Sequence, residues 1–74
     1  MRKYNPDDFP EDVARDMRKV YNLHEHKDVG DNELLLAFAI DDLHYSLKDL
    51  RTYKLRPPEQ VIEMQSYFRS LLYD

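Results

Sequence analysis

Apolar positions are unevenly spread along this polar chain, and the longest apolar run covers residues 34–40, with the sequence LLLAFAI. A helix on a protein surface needs only a stripe of apolar side chains, whereas a helix that is apolar all round must be covered on nearly every side. We therefore expect residues 34–40 to lie in the central helix of a small bundle, or in a surface that a partner completes.

Three stretches of the chain carry apolar residues at helical spacing. The first follows Pro10, which suits the opening turn of a helix because its missing N–H has no bond to lose there. The second follows Asp31, a suitable N-cap, and the third follows Pro57 and Pro58. The apolar positions recur every three or four residues in each stretch: Val13, Met17 and Val20; Leu36, Ile40, Leu43, Leu47 and Leu50; Val61, Met64, Phe68 and Leu71.

This pattern predicts an all-α fold, a compact three-helix bundle with helices over about residues 10–23, 32–54 and 58–73. An irregular N-terminal lead-in of residues 1–9 precedes the first helix, and residues 1–74 are expected to form a single small helical domain. No stretch alternates between apolar and polar with period two, so strands are not expected.

Composition narrows the classes of function. The chain has 15 acidic and 11 basic residues and a formal net charge of −4, which disfavours general affinity for nucleic acid. It has no cysteine, so disulfides and cysteine-ligated metals are excluded. The apolar run is much shorter than the ~20 residues that span a bilayer, and no apolar stretch follows the basic N-terminus as in a secretory signal. We expect a cytoplasmic protein without a membrane segment.

Two groups of side chains have the composition of metal sites. His24, His26 and Asp28 are close in sequence, but ligands two residues apart converge on one ion only in an extended backbone. Asp41 and His44 are three residues apart, as in one element of a di-iron bundle, which needs two such elements and two more glutamates. The favoured interpretation is a solvated loop for the first group and a surface pair for the second, so no metal or other cofactor is predicted.

Catalysis by the chain is not expected, because no serine or threonine lies in a glycine-rich elbow with a base beside it. The chain instead offers six tyrosines, a residue type that is enriched in interface hot spots, and a basic segment over residues 48–56. We predict a partner-binding surface with aromatic anchors and a basic rim: Phe38, Tyr45, Arg51, Tyr53, Lys54 and Arg56.

The favoured function is a small, non-catalytic module for protein–protein interaction, a regulator or inhibitor that docks on a larger protein, of the type found in bacterial, plasmid or phage genes. A homodimer through the second helix is a variant of this interpretation. The alternative is a DNA-binding or nucleoid-associated protein that uses the basic residues 48–56, and a metal-dependent enzyme is the least favoured class.

One family offers a resemblance. Asp31, Asn32, Glu33 and Leu34, with the later Leu47, Leu50, Lys54 and Leu55, resemble the small nucleoid modulators of the Hha/YmoA type. Those are helical proteins of similar size that act by binding another protein. The resemblance covers less than half of the chain, and no function is taken from it.

Overall fold

The computed structural model describes residues 3–73, which form three α-helices. Helix α1 spans Glu11–Glu25, α2 spans Asn32–Thr52 and α3 spans Pro58–Ser70. Short 3₁₀ turns, Pro6–Asp8 and Leu71–Tyr73, precede α1 and follow α3. The predicted three-helix bundle is confirmed, and residues 3–73 contain no strand. Residues 1, 2 and 74 of the predicted domain lie outside the described residues.

The core is built from one apolar face of each helix, and the predicted stripes are the ones that pack. Burying a large apolar side chain stabilises a fold by about 1.5–3 kcal/mol, so these residues account for most of the driving force. They are Val13, Met17, Val20 and Tyr21 of α1; Leu36, Ala39, Ile40, Leu43, Leu47 and Leu50 of α2; Val61, Met64 and Phe68 of α3; and Leu71.

Helix α2 is the central element, because it packs against α1, α3 and the 3₁₀ turn that follows α3. Ser46 on its α1 side donates a hydrogen bond to the Asp16 carboxylate. On its α3 side, His44 Nε2 lies 3.2 Å from the Gln65 carbonyl oxygen. These contacts fix the rotation of α2 about its axis, and therefore decide which of its residues point to solvent.

The N-terminal lead-in is part of the packed structure, although its sequence predicts only an irregular segment. The Asn5 side chain caps the first 3₁₀ turn, and Pro6 in that turn is buried. The Tyr4 ring meets the Tyr67 ring edge-on, with centroids 5.3 Å apart. The Tyr21 hydroxyl donates a 2.9 Å hydrogen bond to the Tyr4 carbonyl oxygen. The lead-in therefore joins α1 to α3.

The helix ends differ from the prediction by two or three residues. Helix α1 continues through His24 to Glu25, since polar residues extend a helix even where the apolar stripe has ended. Helix α2 ends at Thr52, because Lys54 adopts a left-handed backbone with φ of 56°. Helix α3 ends at Ser70, and the chain then tightens into the second 3₁₀ turn.

Candidate functional site

The side of α2 opposite the core carries large apolar side chains that the fold does not cover. Leu34 is 58% exposed, Leu35 47%, Phe38 57% and Tyr45 73%. At 100° per residue, Leu34, Phe38 and Tyr45 lie roughly 140–180° around the helix from the buried Leu43. Leu35 lies on the flank of this surface, roughly 80° from Leu43. We call the four exposed residues the outer face. It includes Phe38 and Tyr45, two of the three aromatic anchors that the sequence predicted.

Acidic residues separate the two aromatic side chains of the outer face. Asp41 and Asp42 lie between Phe38 and Tyr45 along the helix, and both are exposed. Beyond them, the Lys48 ammonium group lies 5.0 Å from the centre of the Tyr45 ring, a distance at which a cation is attracted to an aromatic face. The apolar part of the outer face is therefore densest at residues 34–38, near the start of α2.

A hollow of about 550 Å³ adjoins the outer face at Leu34. Its apolar lining comes from α2 and from the 3₁₀ turn after α3, and two carboxylates lie at the start of α2. The lining residues are Gly30, Asp31, Glu33, Leu34, Ala37, Leu72 and Tyr73. The sequence did not predict this hollow, although Leu34 and Ala37 in its α2 wall belong to the apolar run over residues 34–40. We call it the α2 hollow.

The basic residues of the predicted site lie elsewhere, at the corner between α2 and α3. Arg51, Lys54 and Arg56 line a second hollow of about 500 Å³, together with Leu55, Pro57 and Pro58. Arg51 is roughly 120° around α2 from Tyr45, so the corner does not continue the outer face. Tyr53, which is 72% exposed, lies in the same turn but does not line the hollow.

Lys54 holds the corner in an unusual backbone conformation. Its φ of 56° is left-handed, which disfavours any residue with a Cβ by about 1–2 kcal/mol. The Lys54 N–H bonds to the Arg51 carbonyl at 3.2 Å and the Leu55 N–H to the Leu50 carbonyl at 2.8 Å. This is the Schellman arrangement, whose left-handed position is usually glycine.

Arg56 is already engaged by the fold. Its Nη2 donates to the Asp8 carbonyl oxygen at 2.8 Å and its Nη1 to the Leu55 carbonyl oxygen at 3.1 Å. Its guanidinium carbon lies 4.9 Å from the centre of the Phe9 ring. Arg56 therefore ties the lead-in to the corner, which leaves Arg51 and Lys54 as the exposed cations lining the corner hollow.

The side chains considered as metal ligands do not form a cluster. Within residues 3–73, no three histidine, aspartate or glutamate side chains are grouped so that they could hold a metal ion. His24 lies in the last turn of α1 and His26 is its C-cap, where a cation would interact favourably with the helix dipole. Asp41 accepts from Arg69 Nη2 of α3 at 3.5 Å.

His44 connects α2 to α3. Its Nδ1 lies 3.4 Å from Arg69 Nη2, so the ring fits the neutral tautomer in which Nε2–H donates to Gln65 and Nδ1 accepts from Arg69. Partial burial, followed by the charge of Arg69, lowers the pKa of His44 below its ordinary value. Asp41 and His44, which the sequence predicted as a surface pair, therefore both contact Arg69 of α3.

Comparison with known proteins adds no assignment. No family model, no curated protein and no solved structure matches the chain. The resemblance to nucleoid modulators therefore gains no support from a family model. Within residues 3–73, each of the helices is too short or too polar to cross a membrane.

Proposed function

We propose that the protein is a non-catalytic interaction module that docks on a larger protein through the outer face of α2, acting in the cytoplasm as its regulator or inhibitor. One observation carries this proposal. The core is already filled by the opposite side of α2, yet Leu34, Leu35 and Phe38 remain about half exposed as neighbours on one surface. Contiguous exposed apolar residues on a small soluble protein are typical of interaction sites.

Tyr45 extends the same face toward the C-terminal half of α2. A tyrosine supplies a large contact area and loses little conformational entropy when it binds. Its hydroxyl group and the nearby Lys48 give the face a polar margin, which is the usual anatomy of an interface: an apolar centre with a polar rim.

Site-specific crosslinking in the cells that naturally express the protein tests this proposal. A photoreactive phenylalanine analogue replaces Phe38 in one variant and Ile62 of α3 in a matched control. Ile62 is 54% exposed, so both positions offer similar apolar area to solvent. We expect a defined crosslinked protein from position 38 and none from position 62. The same crosslinks from both positions, or none from position 38, would contradict the proposal.

The α2–α3 corner supports a second candidate, a contact with nucleic acid, because three basic side chains line one hollow there. Phosphate contacts of this kind weaken steeply as salt is added. Titration with duplex DNA, followed by amide NMR shifts, tests it. Shifts confined to residues 48–60, and abolished by an Arg51→Gln/Lys54→Gln double variant, would favour this second function.

A further inference from the structure

The N-terminal half of the outer face is surrounded by carboxylates. Leu34, Leu35 and Phe38 form its exposed apolar centre. Asp31 and Glu33 lie at one end, where they also line the α2 hollow, and Asp41 and Asp42 follow Phe38 by three and four residues, about one helical turn. We call this surface the acid-rimmed patch; its members are Asp31, Glu33, Leu34, Leu35, Phe38, Asp41 and Asp42.

Most of these carboxylates are not neutralised by the fold. Within residues 3–73, Asp31, Glu33 and Asp42 take part in no ion pair, and Asp41 has a single one, with Arg69 at 3.5 Å. The Lys27 ammonium group lies 3.4 Å from the Leu71 carbonyl oxygen and, in the described part of the chain, pairs with none of these carboxylates. The patch therefore combines exposed apolar side chains with an excess of negative charge.

A second copy of the chain is a poor occupant of this patch. In a two-fold symmetric pair the same surface meets itself. An antiparallel pair of α2 helices centred on Phe38 would set Leu34 opposite Asp42 and Leu35 opposite Asp41. A pair centred between Asp41 and Asp42 would bring four carboxylates together. A pair centred on position 36 would set Leu34 opposite Phe38, but it would also set Asp31 opposite Asp41. Each of these registers places carboxylates against leucines or against one another, and like charges directly opposed across an interface are strongly unfavourable.

We propose that the acid-rimmed patch binds an amphipathic basic helix of another protein, an inference that rests on the proposed docking function. Apolar residues of the partner at helical spacing would cover Leu35 and Phe38, and one of them would enter the α2 hollow beside Leu34. The two acidic pairs are 8–11 residues apart, or roughly 12–16 Å along the helix. The partner's lysines or arginines therefore lie about two to three turns apart, on either side of its apolar anchors.

Designed peptides test this charge preference directly. A helical peptide with leucines along one face and lysines on both flanks is compared with a second peptide in which every lysine is glutamate. The isotope-labelled chain is titrated with each while its amide NMR shifts are followed. We expect the lysine peptide to bind at least about tenfold more tightly than the glutamate peptide, with shifts concentrated in residues 31–45. Equal binding of both peptides, or shifts elsewhere, would overturn the proposal.

Charge-neutralising variants provide a matched control. The Asp31→Asn/Asp42→Asn double variant is expected to weaken binding of the lysine peptide roughly three- to tenfold. Glu59 is an exposed acid in the first turn of α3 and lies outside the patch. Glu59→Gln is therefore expected to leave binding of the lysine peptide unchanged. Raising the salt from about 0.01 to about 1 M shortens the screening length from ~30 to ~3 Å, and should remove the difference between these variants. Equal affinities of the double variant and the original chain for the lysine peptide in low salt would overturn the proposal.

These experiments distinguish failure of the docking function from failure of the basic-helix partner. If position 38 crosslinks to a partner whose binding the double variant does not weaken, docking stands and the basic helix is wrong. If position 38 yields no partner and neither peptide binds, the docking function itself fails. Sedimentation of the chain alone adds a third outcome. A dimer that Phe38→Ser abolishes would replace the basic helix by a second copy.

Discussion

Helices α1 and α2 pack against each other but present different side chains to solvent. The large apolar residues of α1 face the core or are partly covered, and its outward positions carry charges such as Glu11 and Arg18, which pair at 2.8 Å. Helix α2 buries a complete stripe of its own and still exposes Leu34, Phe38 and Tyr45 on the opposite side. Since one stripe is enough for packing, the fold itself does not require the second.

The largest expected contrast lies between the two sides of α2. Leu43→Ala should lower the free energy of unfolding by about 2–5 kcal/mol, because the side chain is fully buried and its removal leaves a cavity. Phe38→Ser should change it by no more than about 0.5 kcal/mol, yet abolish crosslinking and peptide binding. Urea unfolding and peptide titration measure the two effects. A large loss of stability in Phe38→Ser would show that the outer face belongs to the core.

The inner side of α1 allows a sharper test of how the lead-in is held. Tyr21→Phe removes the hydroxyl that donates to the Tyr4 carbonyl while it retains the buried ring. We expect a loss of about 1 kcal/mol, together with faster amide exchange in residues 4–9. Tyr45→Phe on the outer face of α2 is the matched control, because its ring is exposed and its stability should not change. Equal losses in both variants would contradict this assignment.

The end of α2 should tolerate one substitution that improves stability. Lys54→Gly is expected to raise the free energy of unfolding by about 1 kcal/mol, because glycine adopts the left-handed φ without steric strain. Lys54→Ala removes the charge but retains the strain and should bring no gain. Gly30→Ala tests the converse, because Gly30 has a φ of 57° and an added Cβ would meet no neighbouring atom. This variant should lower the free energy of unfolding by a similar amount. Thermal unfolding distinguishes the three variants.

The smallest expected effect concerns pH and the contact between α2 and α3. The pKa of His44 is lowered in the folded chain by burial and by Arg69, whereas the unfolded chain titrates near the ordinary value of about 6.5. The unfolded state therefore takes up its proton first as the pH falls. The contribution of His44 to the free energy of unfolding is therefore fully present above about pH 6.5. It is lost as the pH falls through the pKa of His44 in the folded chain.

The stability curve of His44→Gln checks this expectation. Glutamine keeps an N–H donor for the Gln65 carbonyl but does not titrate. The decline in stability below about pH 6.5 should therefore be shallower in this variant than in the original chain. His24 and His26 remain in both proteins, so the difference between the two curves reports His44 alone. Parallel curves would contradict the assignment.

The sequence was informative wherever local spacing decides the structure. The three- and four-residue intervals predicted the buried stripes, and the positions of Phe38 and Tyr45 opposite Leu43 follow from the same helical geometry. The left-handed Lys54 was not predictable, because the usual signal at that position is glycine. The role of Arg56 was also missed, since its contact with the Asp8 carbonyl joins residues 48 positions apart.

The α2 hollow shows the same limit. Leu34 and Ala37 lie within the apolar run, but the opposite wall comes from Leu72 and Tyr73. No local pattern brings those two segments together. The basic residues and the aromatic anchors, which were predicted as one surface, are separated in the structure for a related reason: Arg51 lies on the α3 side of α2, whereas Phe38 and Tyr45 point to solvent. Spacing predicts the face of one helix, and tertiary contacts decide which faces join.

The anchoring of the lead-in has a consequence for biosynthesis. Lys3 forms an ion pair with Glu63 at 3.0 Å, and its N–H donates to the Tyr67 hydroxyl. The partners are separated by 60 and 64 positions along the chain. At about 5–20 residues per second, a ribosome needs roughly 3–13 s to add the residues between them. Lys3 is therefore made well before α3, and it cannot form these two contacts until α3 has been synthesised.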